Sequence, residues 1–172
     1  MRIISGYLKG KKIDLPKDDL TRPLKDMVKE SIFNIIEHSN DISFKLKEAV
    51  VLDLFSGTGS FGLECISRGA KKVIFNESYN IAIEILEKNI KNLNCENKCQ
   101  ILKSDCFNLL KNFNEKVDII FMDPPFKEEK INELIISITE ANILKQNALI
   151  IIHRNKKNDE SLSERLKIVD TR

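Results

Sequence analysis

Asp123-Pro124-Pro125-Phe126 is the stretch of this sequence that narrows the chemistry most. Two consecutive prolines fix the backbone and remove two N–H donors, so their surroundings offer carbonyl oxygens as acceptors. Asp123 adds an anionic acceptor and Phe126 an aromatic face. An exocyclic amine of a nucleic-acid base matches that set, because it donates two N–H bonds and has a π-face beside it. Its lone pair is delocalised into the ring, which makes the nitrogen a weak nucleophile. Acceptors holding both N–H groups favour a pyramidal nitrogen whose lone pair can attack a methyl carbon. A base stacked on Phe126 would be held in line for that attack. The alternative reading is a rigid turn that merely leaves a strand.

Three further segments carry acidic or glycine-rich chemistry. Asp53 is followed by Phe55, Ser56, Gly57, Thr58 and Gly59, then Ser60-Phe61-Gly62. Gly57, Gly59 and Gly62 spell G-x-G-x-x-G, so a nicotinamide enzyme has to be weighed. A carboxylate ahead of the glycines would repel a pyrophosphate and suits a ligand with an amino group and a sulfonium centre. A tight turn with no ligand is the plain alternative. Glu77 follows Phe75 and Asn76, where a carboxylate can accept both hydroxyls of a ribose. Asp105 precedes Cys106 and Phe107; it could accept from an adenine amino group, or serve only as a helix N-cap.

The elements that must position these residues alternate. Apolar runs at 49–54, 72–77, 100–103, 117–122 and 148–153 predict five strands, and 166–169 a sixth. Helical spacing predicts helices near 60–68, 80–93, 106–111 and 129–140. Gly69 is placed to stop the first, and Glu84–Lys88 and Glu87–Lys91 to support the second. Such alternation implies an α/β, Rossmann-like, doubly wound and mostly parallel sheet with ligands at the carboxyl ends of its strands. Each chemical segment falls just after a strand. Ahead of this domain (41–172), residues 1–40 read as an extension. Two short strand-like runs around Gly6 and Gly10 suggest a hairpin. Thr21 as a cap and Pro23 in the first turn suggest a helix over 22–38.

Composition excludes several classes. With 172 residues, 42% hydrophobic and 31% charged, the chain can bury its own core and is not wholly disordered. No apolar run approaches the roughly 20 residues of a membrane span. The opening residues lack a signal-peptide pattern, so a cytoplasmic location is expected. Cys95 and Cys99 have no second pair at zinc spacing and no nearby histidine; reduced thiols and no metal are expected. Net charge is only +2, yet residues 1–30 hold eight basic and five acidic side chains, compatible with phosphate contact or with an ordinary solvated face. His38 and His153 read as structural or solvated.

Asp123–Phe126 is similar to the amino-methylating (D/N)-P-P-(Y/F) signature of class I S-adenosylmethionine-dependent methyltransferases. The chain further resembles the RsmD family through 2–6 (RIISG), 9–12 (KGKK), 21–23 (TRP) and 28–34 (VKESIFN). That resemblance implies transfer of a methyl group to N2 of a guanine in small-subunit ribosomal RNA. Separately, a monomer with no membrane partner is expected. The resemblance also implies that Asp53, Phe55, Ser56, Gly57, Thr58 and Gly59 line the methionine part of the cofactor. Glu77 would bind its ribose, and Asp105 with Cys106 its adenine. Asp123, Pro124, Pro125 and Phe126 would hold the guanine amine. Arg22, Lys11, Lys12 and Lys29 would contact RNA or cofactor, with Lys29 standing where the family usually has arginine. The family's last antiparallel strand is missing up to Arg172, which would leave a sixth strand at an exposed edge. The runner-up activity is DNA adenine N6-methylation. From other classes come a non-catalytic RNA-binding or assembly factor with this fold and, more remotely, a nicotinamide oxidoreductase.

Overall fold

The computed structural model describes residues 1–17, 24–42, 45–125, 130–154 and 166–171. Five strands, β1 (Val50–Leu54), β2 (Lys72–Glu77), β3 (Cys99–Lys103), β4 (Val117–Met122) and β5 (Leu144–Ile152), form one sheet in the order β3-β2-β1-β4-β5. Every described pairing is parallel. The order reverses beside β1, so the carboxyl ends of β1 and β4 flank the switch point where such sheets bind ligands.

Helices cover both faces. α1 (Asp26–His38), α2 (Ser60–Ser67) and α3 (Asn80–Asn92) share a core with Val51, Val73, Phe75, Ile119 and Phe121. α4 (Cys106–Asn112) and α5 (Ile131–Glu140) share the other with Leu52, Leu54, Ile74, Ile120 and Met122. Alternate residues of each strand thus feed opposite cores, which is why the strands read as continuous apolar runs. Phe33, Phe61 and Phe121 stack in series, with centroids 5.2 and 4.0 Å apart, and tie α1 through α2 to β4.

The N-terminal extension is built into the first core rather than laid beside it. Ile3, Leu8, Ile13, Leu24, Phe33 and Ile36 are buried with the domain's own apolar residues. The hairpin closes on an antiparallel bridge between Arg2 and Lys12. Every residue of α2 is buried, because the hairpin and α1 cover the side that the sheet does not. Gly6 has φ +78°, and a Cβ there would lie 1.9 Å from the Ser67 carbonyl oxygen, so only glycine lets the hairpin meet α2.

Several expectations change. α1 starts at Asp26, after Lys25 in extended conformation, later than residue 22; residues 21–23 lie outside the described residues. β5 begins at Leu144, because the register with β4 shifts between Val117 and Ile119 and absorbs extra residues around Asn147, whose φ is +62°. Residues 166–169 form no strand; Leu166 packs on the α4–α5 core and Ile168 is exposed. Lys88 pairs with Asp14 and Glu87 with Lys103, across elements rather than along α3. Among the described residues no helix is long and apolar enough to cross a membrane.

Candidate active site

At the carboxyl end of β1 the chain turns through left-handed backbone at Phe55 (φ 57°), Gly57 (φ 54°) and Gly59 (φ 86°) into α2. A Cβ on Gly59 would lie 2.5 Å from Leu86 Cδ1, so the loop is pressed against α3. Asn89 of α3 donates to the Thr58 carbonyl at 3.1 Å and to that of Asp14 at 3.1 Å, while Asp14 N–H donates back to Asn89 Oδ1 at 2.8 Å. One side chain therefore binds the loop to the extension.

Asp53 is buried; its Oδ2 accepts from Gly62 N–H at 3.0 Å. Its Oδ1 and the Ser56 hydroxyl are buried without a partner among the described residues. Orphaned buried acceptors each cost about 1–3 kcal/mol, a cost that a ligand bearing donors would relieve. Burial drives the Asp53 carboxyl well above the ordinary carboxylate range; the Gly62 N–H opposes this, and the nearby Asp123 and Glu77 carboxylates push it further up. In the sheet register Leu54 pairs with Asn76 on one side and Met122 on the other, so Asp53, Glu77 and Asp123 stand at the carboxyl ends of three adjacent strands.

Glu77 closes β2. Its Oε1 accepts from Ser78 and Tyr79 N–H and its Oε2 from Gly57 N–H, all at 2.8 Å. Three of roughly four acceptor positions on a carboxylate are thereby filled by backbone, which leaves room for one ribose hydroxyl rather than the two expected. Asn76, buried beside it, donates to the Leu102 and Ser104 carbonyls and holds the ends of β2 and β3 together. Asp105 is the N-cap of α4, its Oδ1 accepting from Phe107 and Asn108 N–H; Oδ2 is the acceptor a ligand would meet. Phe55, Asn76, Glu77, Ser104, Asp105 and Cys106 line a common cleft, narrow at about 20 Å³, whose walls would have to part for a purine. A wider basin of about 400 Å³ opens at the outer edge of β3, lined by residues such as Gln100, Asn112 and Phe113, and none of the described sequence-predicted site residues borders it.

Asp123 follows β4 and is partly buried, with Pro124 partly buried and Pro125 exposed after it. Its Oδ1 lies 2.8 Å from His153 Nδ1, and this hydrogen bond raises the imidazole pKa against the opposing effect of burial. Phe126 and Arg22 lie outside the described residues.

The four basic residues expected at RNA separate sharply. Lys11 and Lys12 are exposed on the hairpin. Lys29 is a correction: its side chain is fully buried, where it donates to the Arg2 carbonyl at 2.8 Å and faces Asp26 at 3.6 Å and Glu64 at 3.9 Å. It cannot grip phosphate from there. Burial lowers its pKa, and Glu64 and Asp26 oppose that shift. The lysine is held as an internal bracket, because the hairpin and α1 close over it.

Sequence reasoning missed Glu64, which accepts from Ile4 N–H at 2.8 Å, Ser5 N–H at 2.9 Å and Arg68 Nε at 2.9 Å. A glutamate in a helix of otherwise uniform burial was the available signal. It also read His153 as structural or solvated; a histidine at the strand end next to that of Asp123 was the signal for its contact with that carboxylate.

A family profile described as "Conserved hypothetical protein 95" matches residues 1–172. Ribosomal RNA small subunit methyltransferase D of Haemophilus influenzae is 33% identical over 159 residues, spanning 91% of this chain and 79% of that protein. The chain belongs to the RsmD family. A Bacillus subtilis relative, "Putative rRNA methyltransferase YlbH", is 34% identical over 91% of this chain and 83% of its own length. The solved structure "Putative methyltransferase yhhF from Escherichia coli" superposes with TM-score 0.83 at 28% identity, covering 95% of this chain and 86% of that one. The fold is that of a Rossmann-like class I methyltransferase.

Proposed function

We propose that the protein transfers a methyl group from S-adenosylmethionine to the exocyclic N2 of a guanine in small-subunit ribosomal RNA. The observation that carries this reading is the placement of Asp53, Glu77 and Asp123 at the carboxyl ends of three adjacent strands, with Asp53 Oδ1 and Ser56 Oγ, beside the glycine loop, buried and without a partner among the described residues. Family relatives named as small-subunit ribosomal RNA methyltransferases support the substrate class.

The donor set fits the cofactor: Asp53 and Ser56, with the Phe55–Gly59 loop, would hold its methionine part, Glu77 its ribose, and Asp105 with Cys106 its adenine. Bound there, S-adenosylmethionine supplies a methyl group on a positively charged sulfur. Asp53, pushed toward its neutral form by burial, gains most from a cationic amino group, which restores its ionised form. Asp123 accepts an N–H of the target amine and can take the proton that nitrogen sheds on methylation. Pro124 and Pro125 fix the backbone that aims it. Phe126 would stack on the base. Lys11 and Lys12 on the extension (1–40), with Arg22, would meet RNA phosphates. The protein is taken to work as a monomer in the cytoplasm.

Incubation with methyl-labelled S-adenosylmethionine and unmethylated small subunits, followed by nucleoside analysis, tests the reading. Label in N2-methylguanosine is expected. Label in N6-methyladenosine, or none in any RNA, would contradict it. The DNA adenine reading predicts N6-methyladenosine in duplex DNA instead.

A further inference from the structure

His153 stands one residue past β5, and its backbone N–H donates to the Met122 carbonyl at 2.9 Å, which continues the ladder one residue beyond the Met122–Ile152 register pair. That contact brings the imidazole over Asp123, the next residue of the chain. Nδ1 reaches Oδ1 at 2.8 Å. Asp123 precedes a proline, so its own backbone is confined to extended conformations. The freedom that remains lies in the side chain, in χ1 with its staggered wells and in χ2, which is broad for aspartate. The hydrogen bond to Oδ1 restricts both torsions and leaves Oδ2 as the oxygen for a ligand's donor.

Resting on the reading of Asp123 as the acceptor of the target amine, we propose that His153 is a positioning residue for methyl transfer, holding Asp123 Oδ1 so that Oδ2 meets the N–H of the base in the line of attack. A weak nucleophile depends heavily on alignment, and misplacement by about 1 Å can cost on the order of 10²-fold in rate. The contact of His153 in this structure is with the Asp123 carboxylate, and an effect exerted through the alignment of that group belongs in kcat. A staple that merely held the end of β5 would instead show in stability or in cofactor affinity. The histidine side chain is 42% exposed, so truncating it opens no closed cavity.

Three variants of the full chain separate these roles, assayed with unmethylated small subunits and titrated with S-adenosylmethionine. His153→Ala removes the donor. His153→Asn places an amide nitrogen at the same number of bonds from the backbone as Nδ1. His153→Gln carries its amide one carbon further out. The expected result is a kcat loss of about 10- to 100-fold in His153→Ala, with RNA KM and cofactor affinity within about 3-fold of wild type. His153→Asn recovers most of the rate and His153→Gln does not. Unchanged kcat in His153→Ala overturns the proposal. So does His153→Asn being no faster than His153→Ala, or a loss that lies wholly in cofactor affinity or folding. Asp123→Ala runs in parallel: full activity there overturns the reading of Asp123 itself, whereas loss there beside a fully active His153→Ala overturns only the positioning role.

Discussion

Replacing Glu64 by alanine removes the carboxylate from which the extension hangs. The side chain is fully buried and accepts from two extension amides, Ile4 and Ser5, and from Arg68, with Lys29 3.9 Å away. Each amide left without an acceptor costs about 1–3 kcal/mol. Breaking a buried ion pair by deleting one partner costs about 3–5 kcal/mol. These terms share one network and do not add, and water entering the vacated volume relieves part of the cost. About 4 kcal/mol is a fair net figure, roughly 8–16 °C in melting temperature for a chain of this size. Glu64→Gln keeps an acceptor but loses the charge, and should fall between wild type and Glu64→Ala. Thermal melting by circular dichroism, with urea titration to check that the slope is unchanged, reads the effect. A drop below about 3 °C in Glu64→Ala would refute the idea that this cluster fastens the extension.

Gly6→Ala and Gly10→Ala form a matched pair, since both glycines have positive φ but only Gly6 faces Ser67 at 1.9 Å. Gly10→Ala should cost only the left-handed strain of about 1–2 kcal/mol, and Gly6→Ala clearly more in the same melting assay. Asp53 should make cofactor affinity fall as pH is lowered through its raised carboxyl pKa, because a cationic amino group needs the ionised form; titration calorimetry across pH should show this, and Asp53→Asn should abolish the dependence. The sign for stability is opposite: with the folded pKa raised, this group's stabilisation is full below the unfolded value of about 3.9 and is lost as pH rises through the folded one. Lys11→Glu and Lys12→Glu should each weaken RNA binding and lower the salt slope by about one, whereas Lys29→Met should leave that slope unchanged.

The strand–helix alternation was legible because buried parallel strands are apolar on both faces, and β2 and β4 fall where the pattern puts them. The acidic strand ends were legible because the topology makes those ends a binding edge. What the chain did not disclose were contacts between distant segments. Glu64 and Lys29 read as ordinary helix-surface charges until the hairpin and α1 close over α2, so lysine at position 29 looked like a phosphate ligand. The reach of His153 to Asp123 depends on the register of β5 against β4, which carries a shift no periodicity announces.

The central claim is that Asp123 acts on the target amine rather than on the cofactor. Single-turnover methyl transfer by Asp123→Ala, with cofactor affinity measured on the same preparation, tests it most directly. The expected rate is lower by about 10²- to 10³-fold, with S-adenosylmethionine binding within about 3-fold of wild type. A near-normal rate, or a loss explained entirely by weaker cofactor binding, would contradict it.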